Sequence, residues 1–388
     1  MADRAEVVIV GGGVIGTSVA FHLARLGVTD VLLLERAHIA AGSTGRSVGI
    51  VEASYAADVN VALAKRGVDE LSRFHEVTGH SADFVPRAYV ESVSNPAHGS
   101  HVEAVLGAGR RHGVRIDPIG PEDLHDLFPE LRTDDLVAAC VEPGAGFCDP
   151  QAVAHGYASA AQRLGARVRT NAPVGKILVD RGEVTGVSVG AETVRAPTVV
   201  NAAGPWCNDV NRSVGFELPV RLWQRQIFVT TPHPEIPADR PMYVDVSARF
   251  YFRQELAGGF VLGLVEDVAA TELAAPETDW DFKAKAVAAA VHRVPKLSET
   301  GIASAWSGIV TFTPDQLPVL GPVQEARGLY LANGMSGYGV MISPGVGLAI
   351  AEMIALGESK SIDVSALGIE RFRRPGRASG AGLWPHAS

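Results

Sequence analysis

Apolar runs and periodic helical segments alternate at the start of the chain. Val7–Val10 is an uninterrupted apolar run, as expected for a short strand buried on both faces. Residues 17–26 place apolar side chains on roughly one face of a helix, and Val31–Leu34 is a second apolar run. The pattern predicts a strand, a helix and a second strand parallel to the first.

The turn between the first strand and the helix carries glycines at the spacing G-x-G-x-x-G. Gly11 would permit the tight turn, Gly13 would let a pyrophosphate approach the backbone, and Gly16 would let the helix pack on the strands. Phosphates would then meet the positive end of the helix dipole. Glu35 ends the second strand, where it could accept hydrogen bonds from a ribose. We interpret the unit as dinucleotide-binding; an ordinary strand–helix–strand unit with a glycine-rich turn is the alternative.

Further loops of small residues follow other predicted strands. Residues 40–50 contain hydroxyls and one arginine, and residues 201–206 and 333–339 each follow an apolar strand. Such loops bring backbone donors close to a ligand. The candidate cofactor-binding residues are Gly11, Gly13, Val14, Ile15, Gly16, Glu35, Arg36, Gly42, Ser43, Thr44, Arg46, Ser47, Val174, Ala203, Gly204, Trp206, Gly308, Gly337, Tyr338, Gly339, Val340 and Met341.

The nucleotide-binding pieces recur at the start, middle and end of the chain, and β-rich pieces lie between them. This order predicts an α/β fold in which a Rossmann-like domain is interleaved with an α+β substrate domain built on a mixed, mostly antiparallel sheet. The expected cofactor domain comprises residues 1–83, 146–216 and 301–370, and the substrate domain comprises residues 84–145 and 217–300. Residues 371–388 are expected to be a disordered tail with solvated arginines.

The composition of the chain limits the classes of partner that it is expected to bind. The net charge of −9 disfavours nucleic acid and anionic membranes as partners. No apolar run reaches the roughly 18 residues of a membrane span, and the charged residues 1–6 are unlike a signal peptide. The three cysteines lack metal-ligand spacing, as do the histidines, so we expect no metal site and a reducing, cytoplasmic compartment.

These motifs together resemble those of the D-amino-acid oxidase superfamily, which contains FAD-dependent amine and amino-acid oxidoreductases. The similarity rests on residues 11–16, 42–47, 199–206, 306–321 and 334–339, whose order and spacing span nearly the whole chain. The branch it resembles contains sarcosine oxidase and its β subunit, glycine oxidase and proline dehydrogenase. The resemblance implies bound FAD, an antiparallel substrate sheet over the flavin, and oxidation of a carbon–nitrogen bond.

The chain departs from family patterns at several positions. Arg46 and Gly308 stand where some relatives carry the histidine or cysteine that holds flavin covalently, so noncovalent FAD is expected. Val310 replaces an arginine that grips the substrate carboxylate in glycine oxidase and D-amino-acid oxidase, and Val261 aligns with an oxygen-activating lysine. These differences favour a secondary or cyclic amine, or an N-substituted amino acid, over glycine, and they leave oxidase and dehydrogenase activity both open.

Chemistry of this kind needs few acid–base groups, because the cofactor accepts the hydride equivalent from a neutral amine. The protein must position the substrate and exclude water. The candidate catalytic residues are Tyr338, Tyr251, Arg253 and Tyr55; the tyrosines would lie over or behind the flavin, and Arg253 could clamp a carboxylate. Core packing is the alternative for each tyrosine, and a surface salt bridge is the alternative for Arg253.

Other functions fit parts of the pattern. A flavin monooxygenase would share the N-terminal unit, and an NAD dehydrogenase would need fewer loops than the three found here. A flavoprotein subunit or assembly factor that needs partners would also explain the missing arginine and lysine. The expected partners are therefore a small amine substrate and O2 or another electron acceptor, and a homo-oligomer is compatible with the sequence.

Overall fold

Two large β-sheets, each covered by helices, make up most of the molecule in a computed structural model that describes residues 3–266, 268–270 and 279–373. The α-helices of these segments are α1 (Val14–Arg25), α2 (Asp58–Leu71), α3 (Phe74–Thr78), α4 (Gly99–His112), α5 (Pro121–Leu127), α6 (Pro150–Arg163), α7 (Cys207–Asn211), α8 (Trp280–Arg293) and α9 (Gly339–Leu356).

The strands are short in most of the sheets, and the longest lie in the second large sheet. They are β1 (Asp3–Arg4), β2 (Val7–Val10), β3 (Val31–Leu34), β4 (Ile50–Val51), β5 (Val85–Pro86), β6 (Tyr89–Val93), β7 (Asp117–Pro118), β8 (Ala138–Glu142), β9 (Gly146–Phe147), β10 (Arg167–Arg169), β11 (Val174–Asp180), β12 (Glu183–Val189), β13 (Glu192–Arg195), β14 (Thr198–Asn201), β15 (Arg221–Thr230), β16 (Met242–Asp245), β17 (Phe250–Gln254), β18 (Phe260–Leu264), β19 (Ile302–Phe312), β20 (Val319–Pro322) and β21 (Leu329–Asn333).

The first large sheet has the strand order β10-β3-β2-β14-β21-β20 and is parallel except at β20. Val7 and Ile9 face the core under α1 and α9, while Val8 and Val10 face a second core beneath the smaller sheet β1-β13-β12-β11. Burial of both faces explains the uninterrupted apolar run in β2. The predicted strand–helix–strand unit at the N-terminus is confirmed.

The second large sheet has the order β19-β15-β18-β17-β16-β6-β8-β7 and is antiparallel except where β16 pairs with β6. The predicted mixed, mostly antiparallel sheet is therefore confirmed. Phe250 and Phe252 of β17 pack into a core with Phe282 of α8. Because side chains alternate along a strand, the intervening Tyr251 points to the opposite face.

The residues expected to form the cofactor domain include one strand of the second large sheet. The sequence predicts residues 301–312 as part of the cofactor domain, whereas β19 pairs with β15 from Arg221↔Phe312 to Thr230↔Ile302 and is the edge strand of the second sheet. The family motif around Trp306 indicated proximity to the cofactor. A strand of either sheet could lie close to the cofactor, because β19 lies where the two sheets meet.

The predicted disordered tail also begins too early. Arg371 lies in the short helical turn Ile369–Phe372, and its guanidinium bonds the Asp315 carboxylate at 2.7 and 3.1 Å. It also donates to the carbonyl of Leu317. Arg371 is therefore a structural ion-pair residue, while residues 374–388 of the predicted tail lie outside the described part of the chain.

Helix α9 packs tightly against α1 and α2. A Cβ atom at Gly347 would lie 2.1 Å from Oγ of Ser18 and 2.8 Å from its carbonyl carbon, and a Cβ at Gly345 would lie 2.8 Å from the Leu63 carbonyl oxygen. Among the described residues, α9 is the one helix long and apolar enough to be a candidate membrane span, but most of it is buried inside the protein. Its packing identifies it as a core helix.

The close contact between α1 and α9 predicts that Gly347→Ala destabilises the protein. The added methyl group would force Ser18 and its backbone to move, and overpacking of this kind costs about 1–3 kcal/mol. Thermal or urea unfolding measures the loss. The matched control is Gly368→Ala, because Gly368 has φ −62° and open space around its Cβ position. Equal losses for the two variants would contradict the packing argument.

Candidate functional site

A cavity of about 840 Å³ lies where the two large sheets meet. One end is lined by the turn after β2 and by the end of β3, and the other end is lined by side chains of β15, β17 and β19. The loops 41–48, 202–206 and 335–341 form the wall between these ends. The predicted nucleotide-facing loops are thus brought together along one continuous cavity.

The glycines of the first turn have different physical roles. Gly11 has φ +112°, and a Cβ there would lie 2.4 Å from the Ala202 carbonyl oxygen. A Cβ at Gly16 would lie 2.0 Å from the Gly11 carbonyl oxygen, so Gly16 serves helix packing and does not line the cavity. A Cβ at Gly13 would meet only Oγ1 of Thr44, at 3.1 Å. Gly13 therefore keeps space open on the cavity side, as a close-approaching phosphate requires.

Glu35 lies at the end of β3, and it is buried in the cavity wall. Its Oε2 accepts the Gly12 N–H at 2.7 Å and its Oε1 accepts the Ala37 N–H at 2.8 Å. Each carboxylate oxygen retains capacity for a further donor, such as a ribose hydroxyl. Nearby, the guanidinium of Arg36 lies 4.4 Å from the ring centre of Trp206, and both residues line the cavity.

The loop after β3 is fixed to the first helix by its own side chains. Oγ1 of Thr44 accepts the Val14 N–H at 3.0 Å, and this satisfies one of the free donors at the start of α1. The Arg46 guanidinium donates to the Ala41 carbonyl at 2.9 Å. The loop is thereby pre-arranged, with Gly42, Ser43 and Ser47 along the cavity.

The same loop is bonded to β19 of the second sheet. Oγ of Ser43 donates to the Ile309 carbonyl at 2.6 Å, and the Trp306 indole N–H donates to the Arg46 carbonyl at 2.9 Å. A Cβ at Gly308 would lie 3.0 Å from Cβ of Arg46, so a small residue is needed for this approach. The motif residues around Trp306 therefore join the two sheets.

The third loop leads into α9 with Gly337, Tyr338, Gly339, Val340 and Met341 all on the cavity wall. The first N–H groups of a helix have no helical acceptor, and they favour negative charge in front of them. The ring of Tyr338 meets that of Tyr55 edge to face with centres 5.1 Å apart. Tyr55 does not line the cavity; its hydroxyl donates to the Met341 sulfur, so it supports the wall from behind.

Tyr251 and Arg253 share one face of β17, as alternation predicts, but only Tyr251 lines the cavity. Arg253 lies farther along the strand, over the ring of Phe147 at 4.5 Å. Its guanidinium donates to the Val48 carbonyl at 2.6 Å and to the Glu255 carboxylate at 3.1 Å. The structure therefore does not bring Arg253 into the site. Alternation gives the face of a strand, but the covering segments decide which part of that face is open.

A different arginine reaches the cavity, and the sequence analysis missed it. Arg225 of β15 lines the cavity near Tyr251, with its guanidinium 5.1 Å from the ring centre of Phe312. Burial raises the pKa of Tyr251 to about 12, while Arg225 and Arg253 act in the opposite direction. Tyr251 is therefore a neutral phenol at physiological pH. The signal for Arg225 was weak because β15 contains several polar residues.

Glu52 is a second cavity residue that the sequence analysis missed. It follows Ile50 by two residues, and both line the cavity. Burial, followed by the neighbouring Glu142, raises the pKa of Glu52 well above that of an ordinary glutamate. The period-two spacing after the glycine-rich loop could have indicated it. The other missed lining residues at this end are Tyr89, Ile227, Val244 and Val265.

The substrate end also has an extensive apolar surface. Val310, Ile309 and Phe312 of β19 line the cavity, together with apolar residues of β15 and β16. Within residues 3–266, 268–270 and 279–373 no group of His, Cys, Asp or Glu residues is arranged to hold a metal. The site is suited to a molecule with a polar, phosphate-containing end and a flat, largely apolar end.

These features fit FAD. The open space at Gly13 and the start of α1 suit a pyrophosphate, and Glu35 suits the adenosine ribose. The loops at 42–48 and 337–341 would flank the flavin ring, with the apolar and tyrosine-lined region beyond it. Val174, Ala203 and Gly204 complete the wall near the nucleotide end.

Comparisons with known proteins agree with this geometry. A family model described as FAD dependent oxidoreductase (DAO) matches residues 6–353. The chain is 32% identical to mitochondrial dimethylglycine dehydrogenase of Rattus norvegicus over 377 residues, covering 92% of this chain and 43% of that protein. It is 30% identical to mitochondrial sarcosine dehydrogenase of Homo sapiens, covering 96% of this chain and 42% of the relative. The chain therefore spans less than half the length of these curated relatives.

A solved structure is also similar over nearly all of both chains. L-proline dehydrogenase from P. horikoshii superposes with a TM-score of 0.89 and 26% identity, covering 96% of this chain and 99% of that chain. The superposed region therefore includes both large sheets of this chain.

The two hydrogen bonds of Glu35 predict its effect on dinucleotide retention. Glu35→Ala should weaken FAD binding by roughly 1–3 kcal/mol, because buried donors of the protein and the ribose lose their acceptor. Glu35→Gln should lose less, since it keeps one carbonyl oxygen. The FAD content of each purified variant, measured after serial dilution, gives the result. Wild-type retention by Glu35→Ala would remove Glu35 from the site.

Proposed function

Because this chain belongs to the DAO family of FAD-dependent oxidoreductases, we propose that it oxidises a carbon–nitrogen bond of a secondary or cyclic amine, or of an N-substituted amino acid, to the imine. The observation that carries the proposal is the continuity of one cavity from the dinucleotide turn at Gly13 to the apolar, tyrosine-lined end at Tyr251. Such a cavity would place a small apolar amine next to the redox end of the cofactor.

Residues of this chain would bind and orient the two reactants. The loops described above would hold FAD, which supplies the acceptor for the hydride equivalent leaving the substrate carbon. Tyr251 and Tyr338 would confine the substrate, and the apolar residues of β19 would exclude water. The start of α9 would favour negative charge at the cofactor edge that it faces.

Val310 and its neighbours support the choice of substrate class. A valine offers no cation to a carboxylate, and Ile309 and Phe312 beside it are apolar too. A substrate carboxylate would instead meet Arg225, the arginine that reaches this end of the cavity. These groups suit an amine with an apolar substituent better than glycine or D-alanine.

The electron acceptor, the oligomeric state and the cellular location are also part of the proposal. O2 or another electron acceptor would reoxidise the flavin, and a homo-oligomer is compatible with the proposal. The acidic composition supports a small-molecule substrate instead of a nucleic acid, and the cysteine content supports a reducing, cytoplasmic location.

Noncovalent attachment of FAD is the first expectation from this proposal. Arg46 has no nucleophilic atom suited to a flavin bond, and no histidine or cysteine is among the cavity-lining residues of the described chain. Acid precipitation of the purified yellow protein should therefore release the flavin into the supernatant. Yellow colour that remains in the washed pellet would contradict this.

A panel of amines tests the substrate class. Under anaerobic conditions, bulkier secondary amines, sarcosine and L-proline should bleach the flavin faster than glycine or D-alanine, because the floor formed by Ile309, Val310 and Phe312 is apolar. Stopped-flow absorbance gives the rates. Fast bleaching by glycine or D-alanine would refute the pocket argument, and absence of bleaching by any amine would favour a subunit or assembly role.

The same panel separates carboxylate binding from amine binding. Arg225→Gln should lower kcat/KM for sarcosine about a hundredfold, equal to ~2–3 kcal/mol for a lost charge-assisted bond. N-methylpropylamine, which has no carboxylate, is the matched control and should be affected much less. Equal losses with both substrates would assign Arg225 to the architecture of the pocket.

A further inference from the structure

Three buried carboxyl groups lie together at the substrate end of the cavity. Glu52, Glu91 and Glu142 are each at most 2% exposed, and Glu52 is the one that lines the cavity. Glu52 follows β4, Glu91 lies in β6 and Glu142 lies in the neighbouring β8, where Glu91 pairs with Cys140 and Tyr89 pairs with Glu142. The cluster therefore continues from the cavity wall into the second sheet.

Ser54 connects Glu52 and Glu142. Its backbone N–H donates to Oε2 of Glu52 at 2.5 Å, and its hydroxyl donates to Oε2 of Glu142 at 2.8 Å. The Ala53 N–H also donates to Oε2 of Glu142, at 2.8 Å. The two carboxyl groups are thus held in fixed positions by the backbone of a single short segment.

A protonated His101 would supply positive charge at the end of the cluster away from the cavity. The ring of His101, from α4, is hydrogen bonded to Glu91, and its side chain is 16% exposed. Burial lowers the pKa of His101 and the hydrogen bond with Glu91 raises it, with a net increase. The groups that interact with Glu52 include Tyr55, Tyr89 and Cys140 besides the two acids, and none of these groups is a cation.

Three buried carboxylates cannot all be ionised beside one imidazolium without a large electrostatic cost. Burial raises the pKa of Glu142 to about 7, although the bonds from Ala53 and Ser54 act against this increase. A carboxyl group that binds a proton near neutral pH is suited to general acid–base chemistry. Glu52 holds the position in this cluster from which a substrate can be reached.

We propose that Glu52 accepts a proton from the substrate's ammonium group before the amine is oxidised, and that Glu142 is a positioning residue that sets the proton affinity of Glu52. The inference rests on the proposed amine oxidation. An amine with a pKa of about 10, like that of a lysine side chain, enters mostly as the ammonium ion. Only the neutral amine has the lone pair needed to expel a hydride equivalent from the adjacent carbon.

The atoms and electrons of the proposed proton transfer balance without any further reactant. A nitrogen–hydrogen bond of the ammonium breaks, an oxygen–hydrogen bond forms on the Glu52 carboxylate, and the electron pair stays on nitrogen. No atom is oxidised or reduced in this transfer. The incoming cation also lies close to the aromatic rings of the cavity, which favour a positive charge over their faces.

The pH profile of Glu52→Gln in the holoenzyme distinguishes this role from a structural one. With sarcosine and N-methylpropylamine, wild-type kcat/KM should rise to a plateau once Glu52 is ionised. Glu52→Gln should be slower by about a hundredfold near pH 7.5 and should continue to rise toward the pKa of the amine. Above that pKa the substrate is already neutral, and the variant should approach the wild-type rate.

Two further variants complete the test. Glu142→Gln removes a neighbouring negative charge that raises the pKa of Glu52, so the start of the plateau should move to lower pH. Glu352→Gln is the control for replacing a buried glutamate, because Glu352 bonds Lys360 and Ser361 at the far end of α9, away from the cavity. It should retain the wild-type profile. A Glu52→Gln profile parallel to wild type at every pH, with or without a uniform loss, would overturn the proposal.

A readout that needs no turnover separates failure of this inference from failure of the proposed function. Isotope-edited infrared spectra of the holoenzyme should show a protonated-carboxyl band that loses intensity as pH rises, and this titrating band should be weaker in Glu52→Gln than in Glu352→Gln. If no amine bleaches the flavin, the proposed function has failed. If amines bleach it but neither the pH profile nor the titrating band depends on Glu52, only the proton-acceptor role has failed.

Discussion

The loop from residue 40 to residue 49 makes the contacts on which the arrangement of the two sheets around the cavity depends. On one side, Thr44 bonds the Val14 N–H at the start of α1. On the other side, Ser43 bonds the Ile309 carbonyl of β19, and Arg253 of β17 bonds the Val48 carbonyl. Each of these bonds joins one side chain to one backbone atom, so the position of the loop depends on Ser43, Thr44 and Arg253 and not on the side chains at the substrate end of the cavity.

The bonds of this loop explain why the residues that permit close backbone approach differ from the residues that determine substrate specificity. Gly11 and Gly308 permit the contacts that bring the cofactor segments together, and larger residues there would meet backbone or packed side chains. The substrate end is built from side chains of the second sheet, such as Arg225 and Tyr251, which can vary without disturbing the loop. Binding of the cofactor and choice of substrate are therefore largely separate properties of this fold.

The electrostatic character of the substrate end follows from the same division. Arg225 lies on the β15 side of the cavity, near Tyr251 and Phe312, whereas Glu52 lies near Tyr55 and Tyr89. A cation and a proton-binding acid thus belong to different walls. A substrate held between them would be recognised by its amine and by any acidic group separately, with the apolar floor deciding the size and shape that fit.

The sequence by itself determined the local elements. The dinucleotide turn was identified by the glycine spacing around Gly13, the apolar run of β2 and the acid Glu35. The roles of these residues depend on neighbours within a few residues or on one adjacent strand. Tertiary structure alone decided which side chains of the second sheet reach the cavity. Arg253 and Tyr251 share a strand face, yet Phe147 and the loop at Val48 cover Arg253, while Arg225 and Glu52 enter from separate segments. Strand alternation gives a face, but only contacts between distant segments determine what covers it.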